Sequence, residues 1–327
     1  MGPTLMTQKQ NEPKKSKIYF TLWKILTPVT TKDESGKLMR WATYASVTVA
    51  FILIIIKMIA YVLTGSVAIL STLIDSFLDL IASAINLFAV KHALVPADHE
   101  HRYGHGKAEA IAGLAQAAFI TGSSIFLIFE SINRFYHQQP IENGNIGIVV
   151  MLITITLTAI LVKFQRYVVK QTGSIAITAD SLHYVGDLLL NLSVIVALVL
   201  SIYFDWQMAD PVFALLIAAF ILKSAWDITR QSLAQLMDQE LPDGLREEIK
   251  KIALQHPEVL NLHELRTRSS GRQIFIQLHL EMDGELKLRE AHQIANEVEI
   301  EICREFPNAE VIIHEDMEGL HGDESRE

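Results

Sequence analysis

Hydrophobic residues gather in six long runs over the first two thirds of the chain, and polar residues separate the runs. We predict membrane-spanning helices over residues 41–63, 66–92, 109–135, 145–168, 174–203 and 209–235. At ~1.5 Å per residue, each helix can cross roughly 30 Å of hydrocarbon. The pattern therefore predicts a membrane α-helical bundle over residues 41–236, set in a lipid bilayer and preceded by a cytosolic N-terminal extension over residues 1–40.

Residues 237–317 mix polar and apolar positions in the way that is typical of a soluble domain. Periodicity and alternation predict five elements, with helices over residues 242–255 and 288–306 and strands over residues 259–268, 273–282 and 309–315. The order αββαβ indicates a small two-layer α+β domain, and a short tail over residues 318–327 follows it.

Composition supports a membrane domain joined to a soluble one. The chain has 327 residues, of which 50% are hydrophobic, and its mean hydropathy of +0.27 is high for a soluble protein. A single cysteine, Cys303, excludes a disulfide framework and a thiolate metal cluster within one chain. The net charge of -9 argues against nucleic acid as a partner.

Positive charge is distributed unevenly between the two sides of the predicted bundle. The connections over residues 64–65, 137–145 and 204–208 contain neither lysine nor arginine, whereas both residue types occur on the other side. By the positive-inside rule, both termini are expected in the cytosol. Lys57 and Lys163 lie inside predicted spans, and each is expected to extend its long side chain to the membrane interface.

Two carboxylates, Asp75 and Asp79, lie near the middle of the second run. A bare charge at the bilayer centre costs roughly 2.5–3.5 kcal/mol on insertion scales, so a cation or a proton is expected to compensate them. The fifth run carries His183 and Asp187 at the same four-residue spacing, which places each pair on one helix face. Because the two spans are antiparallel, all four side chains are predicted in the middle of the membrane.

Three carboxylates and one imidazole form a complete ligand set for a borderline divalent cation. This set suits tetrahedral Zn²⁺ or Cd²⁺, whereas Mn²⁺ or Fe²⁺ would prefer six mostly oxygen ligands, some of them from water. The alternative is that these groups only form hydrogen bonds between helices or relay protons. Nearby, Asp180 is expected to be a vestibule charge or helix cap, and Asn86 and Asn191 are expected to form interhelical hydrogen bonds.

The connection between the second and third runs, PADHEHRYGHGKAEA at residues 96–110, is rich in histidines and acids. Asp98, His101 and His105 have a spacing that can fold around a metal ion, although such a loop can equally be solvated. His99 and Glu100 are expected to be bystanders. Lys107 is expected to pair with an acid near the start of the soluble domain, such as Asp238.

A third group of candidate metal ligands lies in the soluble domain, on or beside its predicted elements. Its members are His263, His279, His292, His314 and Asp316. A compact α+β domain could bring these side chains together. The alternative is that they are ordinary surface histidines.

These motifs together resemble the cation diffusion facilitator family, and most closely its bacterial YiiP-like efflux transporters of zinc and iron. The resemblance covers about residues 40–317 and rests on GSVAIL, DSFLD, PADHEHRYGHGKAE, ADSLHYVGD, LHELRTR, IQLHLEMD and VIIHED. It implies a transport site of Asp75, Asp79, His183 and Asp187, a loop site of Asp98, His101 and His105, a two-metal cytosolic site of His263, His279, His292, His314 and bridging Asp316, and a charge interlock between Lys107 and Asp238.

The resemblance also implies the activity. Such proteins are homodimers of the inner (plasma) membrane whose cytosolic domains are metallochaperone-like. They export Zn²⁺ from the cytosol in exchange for protons by alternating access, under regulation by cytosolic metal, and Cd²⁺, Fe²⁺, Mn²⁺ and Co²⁺ are further candidate substrates. Glu315 departs from the pattern, because glutamine is expected beside the cytosolic site.

Other function classes fit the sequence less well. An intramembrane zinc protease needs a His-Glu-x-x-His run, but HELRT at residues 263–267 and HEDME at residues 314–318 both lack the second histidine, so an enzyme is not expected. A non-transporting metal sensor remains the alternative, although it would not need ligands inside the bilayer. A channel would differ from an exchanger in its flux stoichiometry.

Overall fold

The computed structural model describes residues 32–136, 145–204, 206 and 208–319. Most of the predicted N-terminal extension, the connection over residues 137–144 and nearly all of the tail after residue 318 therefore lie outside the described residues.

Six long helices form the first two thirds of the chain, as predicted. They are α1 (Lys32–Thr64), α2 (Val67–Ala93), α3 (Ala108–Tyr136), α4 (Asn145–Thr172), α5 (Ile175–Phe204) and α6 (Ala209–Leu236). All six are long and apolar enough to cross a membrane. Large apolar side chains such as Phe88 and Phe126 are 71% and 72% exposed, which suits contact with lipid rather than water.

The first helix begins at Lys32 rather than at residue 41. Its polar first turns are held by packing at their apolar positions. Met39 is fully buried in a cluster with Val90 of α2 and Val168 of α4, and Leu38 packs against the same cluster. Because these contacts bury an apolar stripe, the helix extends beyond the run that hydropathy alone would detect.

Helix α5 occupies the centre of the bundle and contacts α2, α3, α4 and α6. It packs closely through small and apolar side chains: Tyr184 and Val185 meet Leu161 and Val162 of α4, and Ala179 meets α3 and α6. The crossing of α2 and α5 is the feature that matters for function, because these helices carry the two polar pairs found in the sequence.

The soluble domain has the predicted order αββαβ. Its elements are α7 (Asp243–Ala253), β1 (Asn261–Ser270), β2 (Gln273–Met282), α8 (Leu288–Glu305) and β3 (Ala309–Met317). The strands form one sheet in the order β1-β2-β3. Ile276 and Leu280 of the central strand, Ile249 of α7 and Ile302 of α8 are fully buried and form much of its core.

The described residues fall into two compact units. One comprises residues 32–239 together with the turn between β1 and β2, at residues 268–274. The other comprises residues 240–267 and 275–319. The β1–β2 turn thus belongs to the same unit as the membrane helices.

Candidate metal centres

Three of the four residues predicted for the intramembrane site meet where α2 crosses α5. His183 Nε2 lies 2.9 Å from Asp79 Oδ1 and 3.7 Å from Asp187 Oδ2. The three side chains offer ligand atoms that all lie within 4.8 Å of one another. Such a cluster of two carboxylates and one imidazole can hold a divalent cation, which would bridge the two helices.

Asp75, the fourth predicted ligand, is not part of this cluster. It lies one turn earlier on α2, its side chain is exposed, and its charge interacts with those of Asp79 and Lys57. Its role as a ligand stays a prediction, because binding would require its carboxylate to move towards Asp79.

Lys57 of α1 points towards this site, contrary to the expectation that it reaches the interface. Its ammonium donates hydrogen bonds to the Thr72 carbonyl oxygen at 2.9 Å and to Ser76 Oγ at 2.7 Å. These acceptors lie on the turns of α2 that carry the acid pair, and the ammonium charge acts on Asp79, Asp187 and Asp75. No feature of the sequence indicated this orientation, because a lysine near a helix end more often extends outwards.

Asp180 is neither a vestibule charge nor a helix cap. It lies within α5, is 1% exposed, and accepts hydrogen bonds from Ser46 Oγ at 2.6 Å and Gln165 Nε2 at 2.7 Å. This network ties α5 to α1 and α4, and so fixes the helix that presents His183.

One of the two asparagines differs from expectation. Asn191 Nδ2 donates to the Asp187 carbonyl oxygen at 2.8 Å within α5, so this hydrogen bond is not interhelical. Asn86 of α2 is 3% exposed, and its side chain approaches the Asp180 carboxyl of α5, as expected of an interhelical partner.

The loop after α2 brings its three predicted ligands together. Asp98 Oδ1 lies 3.4 Å from His101 Nδ1, and Asp98 Oδ2 lies 3.4 Å from His105 Nε2. The three side chains offer ligand atoms that lie within 4.8 Å of one another. Glu109, also in the motif, is instead buried and accepts a hydrogen bond from Ser174 Oγ at 2.7 Å.

Backbone hydrogen bonds prepare Asp98 to bind a cation. Its Oδ1 accepts the backbone N–H of His101 at 2.6 Å and that of Glu100 at 2.9 Å. The His101 N–H holds the pKa of the Asp98 carboxyl below its usual range, and the Glu100 N–H and the nearby imidazoles lower it further. The Asp98 carboxyl is therefore ionised at neutral pH, as a cation ligand would have to be.

His92 was not predicted as part of this loop cluster. It lies in the last turn of α2, and its ring contacts that of His105 edge-on, with centroids 4.6 Å apart and an interplanar angle of 71°. The ring of His101 lies at a similar distance of 4.5 Å from His105. The sequence did not reveal His92, because it precedes the His-rich loop and belongs to the hydrophobic run.

The predicted ion pair between Lys107 and Asp238 is present. Lys107 Nζ lies 2.9 Å from Asp238 Oδ1, and Arg268 Nη1 lies 3.4 Å from the same oxygen. Partial burial alone would raise the pKa of Asp238, but the hydrogen bond and charge of Lys107, with the charge of Arg268, lower it below its usual range. Asp238 has φ 53, a left-handed conformation that aspartate tolerates better than most residues.

The loop approaches the β1–β2 turn too closely for a side chain at Gly106. A Cβ there would overlap the Ser270 carbonyl oxygen and lie 3.0 Å from the Gly271 backbone nitrogen. Glycine at this position allows the two backbones to touch.

In the soluble domain, Asp316 is the centre of a histidine cluster. Its Oδ2 lies 2.8 Å from His279 Nδ1 and 3.2 Å from His263 Nε2. Its other oxygen, Oδ1, lies 3.3 Å from His314 Nε2. A carboxylate that presents each oxygen to different imidazoles has the arrangement expected of a ligand that bridges two metal ions.

The same imidazoles influence the charge of Asp316. Burial alone would raise the pKa of its carboxyl, but the hydrogen bond from His279 and the His314, His279 and His263 rings lower it below its usual range. The Asp316 carboxyl is therefore ionised at neutral pH.

Two glutamates complete the description of this cluster. His292 lies apart from Asp316, with its Nδ1 3.6 Å from Glu315 Oε1. Glu281, which was not predicted, lies 3.1 Å from His263 Nδ1 through its Oε1. A carboxylate beside an imidazole orients the ring and increases its basicity, so Glu281 helps to set the orientation of His263.

Comparison with known proteins decides the family. Residues 43–237 match the cation efflux transmembrane domain, and residues 241–318 match the cytoplasmic domain of cation efflux proteins. The chain belongs to the cation efflux family. This confirms the predicted membership and the predicted fold of six membrane helices followed by a small α+β domain.

Individual relatives agree with this membership. The cation-efflux pump FieF of Shewanella oneidensis is 48% identical over 278 residues, which are 85% of this chain and 94% of that protein. FieF of Klebsiella pneumoniae is 45% identical over 281 residues, which are 86% and 93% of the two chains. A solved structure of CzrB in its Zn form is 30% identical, covers 26% of this chain and 98% of that chain, and has a TM-score of 0.25.

Membership in the cation efflux family determines the general activity. The chain is a multi-pass membrane protein of a family that exports divalent cations, and it is a transporter rather than an enzyme.

Proposed function

We propose that this cation efflux protein exports Zn²⁺ from the cytosol in exchange for protons, by alternating access. The observation that supports this most directly is the Asp79–His183–Asp187 cluster inside the membrane spans. Metal binding needs ionised carboxylates and a neutral imidazole, so loading the cluster displaces protons. An imidazole nitrogen can bind either a proton or a metal ion, so metal and protons compete for the same atom.

The ligand chemistry supports zinc as the substrate. A nitrogen ligand together with two or three carboxylates suits four-coordinate Zn²⁺ or Cd²⁺ better than six-coordinate Mn²⁺ or Fe²⁺. Asp75 is proposed to complete the set when metal is bound. Co²⁺, Fe²⁺ and Mn²⁺ remain candidate substrates, with water filling further positions.

Two further metal sites are proposed outside the membrane centre. Asp98, His101 and His105 would hold one ion in the loop. In the soluble domain, Asp316 would bridge two ions, with His263 and His279 at one oxygen and His314 at the other, and His292 would join after a side-chain movement. Metal at Asp316 would stabilise a homodimer and raise transport when cytosolic metal is high.

The remaining assignments concern organisation. We propose a transport domain over residues 41–236 and a cytosolic dimerisation domain over residues 237–317. We also propose the Lys107–Asp238 pair as a charge interlock at the membrane–cytosol junction, and an inner-membrane location with both termini in the cytosol. The distribution of lysine and arginine between connections supports this orientation.

A membrane metal sensor is the second candidate, because the Asp316 cluster alone would satisfy it. Zn²⁺ flux into proteoliposomes under an imposed pH gradient separates the two functions. We compare wild type with Asp187→Ala and, as a matched control, with Asp227→Ala, which removes an exposed acid from α6.

Flux that needs both the gradient and Asp187 supports the exchanger. Zn²⁺ binding without flux supports the sensor, and Zn²⁺ flux that is independent of the pH gradient indicates a channel. Equal flux in wild type and Asp187→Ala would show that the transport site is wrongly assigned.

A further inference from the structure

We propose that His92 is a fourth protein ligand of the loop metal site, which gives this site three imidazoles and one carboxylate for Zn²⁺. The proposal rests on the proposed function, in which Asp98, His101 and His105 bind one ion. It adds a ligand from the end of a membrane helix to a site otherwise confined to the loop.

The backbone at the end of α2 places His92 beside the loop cluster. The Leu94 N–H donates to the Val90 carbonyl oxygen at 3.2 Å, and the Val95 N–H donates to the His92 carbonyl oxygen at 3.0 Å. The Val95 carbonyl oxygen in turn lies 3.4 Å from His105 Nδ1. The turn that ends the helix is thus linked directly to a buried ligand of the cluster.

The ring positions suit a shared metal ion. The centroid of His105 lies 4.6 Å from that of His92 and 4.5 Å from that of His101. Two imidazoles on one tetrahedral Zn²⁺, with Zn–N near 2.05 Å, have ring centroids about 5 Å apart. His92 is therefore as near to His105 as His101 is, although only His101 was evident as a ligand from the loop motif.

The His92 side chain is able to complete the site. It is exposed, and no hydrogen bond or ion pair to another described residue holds its ring in place. Rotation about its side-chain torsions can therefore turn a ring nitrogen towards an ion on Asp98, His101 and His105. Zinc sites with three protein ligands keep an open position, whereas four protein ligands give a closed, stable site.

A simpler role for His92 is electrostatic. With Lys91 it lies in the last turn of α2, where a cation stabilises the helix C-terminus. That role does not require contact with His105, and lysine or arginine would serve it equally well. The ring contact favours the ligand role, which would also anchor the loop metal to the helix that carries Asp79.

The test isolates the loop site in the full-length protein. In detergent-solubilised protein carrying Asp187→Ala and Asp316→Ala, the affinity for Zn²⁺ is measured by competition with a chelating dye. Zinc X-ray absorption then gives the number of imidazoles bound. We expect three imidazoles in this parent and two after His92→Ala, with affinity lower by about tenfold or more, since even outer-shell partners of a metal site contribute 10–100-fold.

Two matched variants make the result specific. His99→Ala removes a loop histidine that is not in the cluster. It is expected to change neither the Zn²⁺ affinity nor the number of imidazoles bound. His92→Cys supplies a different ligand at the same place and is expected to restore affinity and to add a zinc–sulfur distance near ~2.3 Å. The restored affinity and the zinc–sulfur distance in His92→Cys would also show that a loss of Zn²⁺ affinity in His92→Ala is not caused by misfolding.

The outcomes separate this inference from the proposed loop site. If the parent binds Zn²⁺ through Asp98, as shown by loss in Asp98→Ala, but His92→Ala keeps the same affinity and imidazole count, the inference is wrong and the loop site stands. If Zn²⁺ binding by the parent is unchanged by Asp98→Ala, or if the parent binds no Zn²⁺, the proposed loop site is wrong. The proposed role of His92 is then wrong as well.

Discussion

Asp79 Oδ1 lies 2.9 Å from His183 Nε2, although 104 residues separate the two along the chain. The contact joins α2 to α5 within the segments that are long and apolar enough to span a membrane. A carboxylate and an imidazole in this position can share a proton or hold a cation, and the same two atoms would serve both states. In the proposed exchanger, this shared position would couple metal release to proton binding.

Replacement of Asp79 by asparagine should separate the effect of the negative charge from the effect of the side-chain shape. Asp79→Asn keeps a hydrogen-bonding oxygen near His183 but removes the anionic ligand. We expect zinc flux to fall at least about a hundredfold with little change in the thermal unfolding temperature, because a neutral amide is a poor zinc ligand. Proteoliposome flux and thermal unfolding measure the two effects. Asp227→Asn is the control, and flux near the wild-type level in Asp79→Asn would contradict the assignment.

Lys57 should weaken metal binding at the neighbouring acids. Lys57→Met removes a positive charge that acts on Asp79, Asp187 and Asp75. At alkaline pH, where protons compete least, we expect Zn²⁺ to bind about tenfold or more tightly, because a unit charge within several ångströms contributes about 1–4 kcal/mol. Slower release should then reduce turnover.

The control for this effect is Lys163→Met, which removes an exposed lysine from α4. Lys57→Arg should stay close to wild type because it retains the charge. Weaker zinc binding in Lys57→Met would mean that the lysine only ties α1 to Thr72 and Ser76.

A side chain at Gly106 should force the loop away from the β1–β2 turn. Gly106→Ala places a Cβ in steric overlap with the Ser270 carbonyl oxygen, so the backbones must separate. We expect a loss of about 1–3 kcal/mol of stability, as for other overpacked sites. Gly122→Ala, where a Cβ has no neighbour within 4 Å, is the control. Equal unfolding temperatures for the two variants would show that this contact is not maintained.

The Lys107–Asp238 pair should not contribute to the pH dependence of transport near neutrality. The pKa of Asp238 lies below its usual value of 3.8, so the pair stabilises the fold fully above this value and loses its effect as the pH falls through the lower folded-state pKa. Both side chains are partly exposed, and the pair is worth about 0.2–1 kcal/mol.

Asp238→Asn tests this prediction while keeping a residue that tolerates φ 53. We expect the amplitude of zinc flux to change and the shape of its profile between pH 5.5 and pH 8 to stay the same. A shifted midpoint in this range would show that the interlock titrates with transport.

Asp316 should be required for both metal ions of the soluble domain. In the full chain with Asp187→Ala and Asp98→Ala, mass spectrometry or dialysis should show two zinc ions per chain, and Asp316→Asn should remove both. His314→Ala, at the other oxygen from His279, should remove one. If Asp316→Asn kept one ion bound, the carboxylate would not be the bridge.

The local sequence pattern was sufficient to predict the fold, because hydropathy and periodicity are properties of one helix or strand at a time. Six apolar runs and the order αββαβ were predicted, and the structure has both. Pattern also indicated that Asp79, His183 and Asp187 share a depth, and the structure brings them together. Element ends were less certain, as the start of α1 at Lys32 shows, because burial of Met39 depends on distant helices.

The sequence by itself determined which residues lie in the membrane and which polar groups share a helix face, since both follow from spacing along one helix. Only the tertiary structure decided what meets across helices: Lys57 turns towards Ser76, Asp180 is buried against Ser46 and Gln165, and His92 reaches the loop cluster. Asp75 remains outside its expected group for the same reason. The rotation and crossing of each helix depend on packing against its neighbours, and one-dimensional spacing carries no information about them.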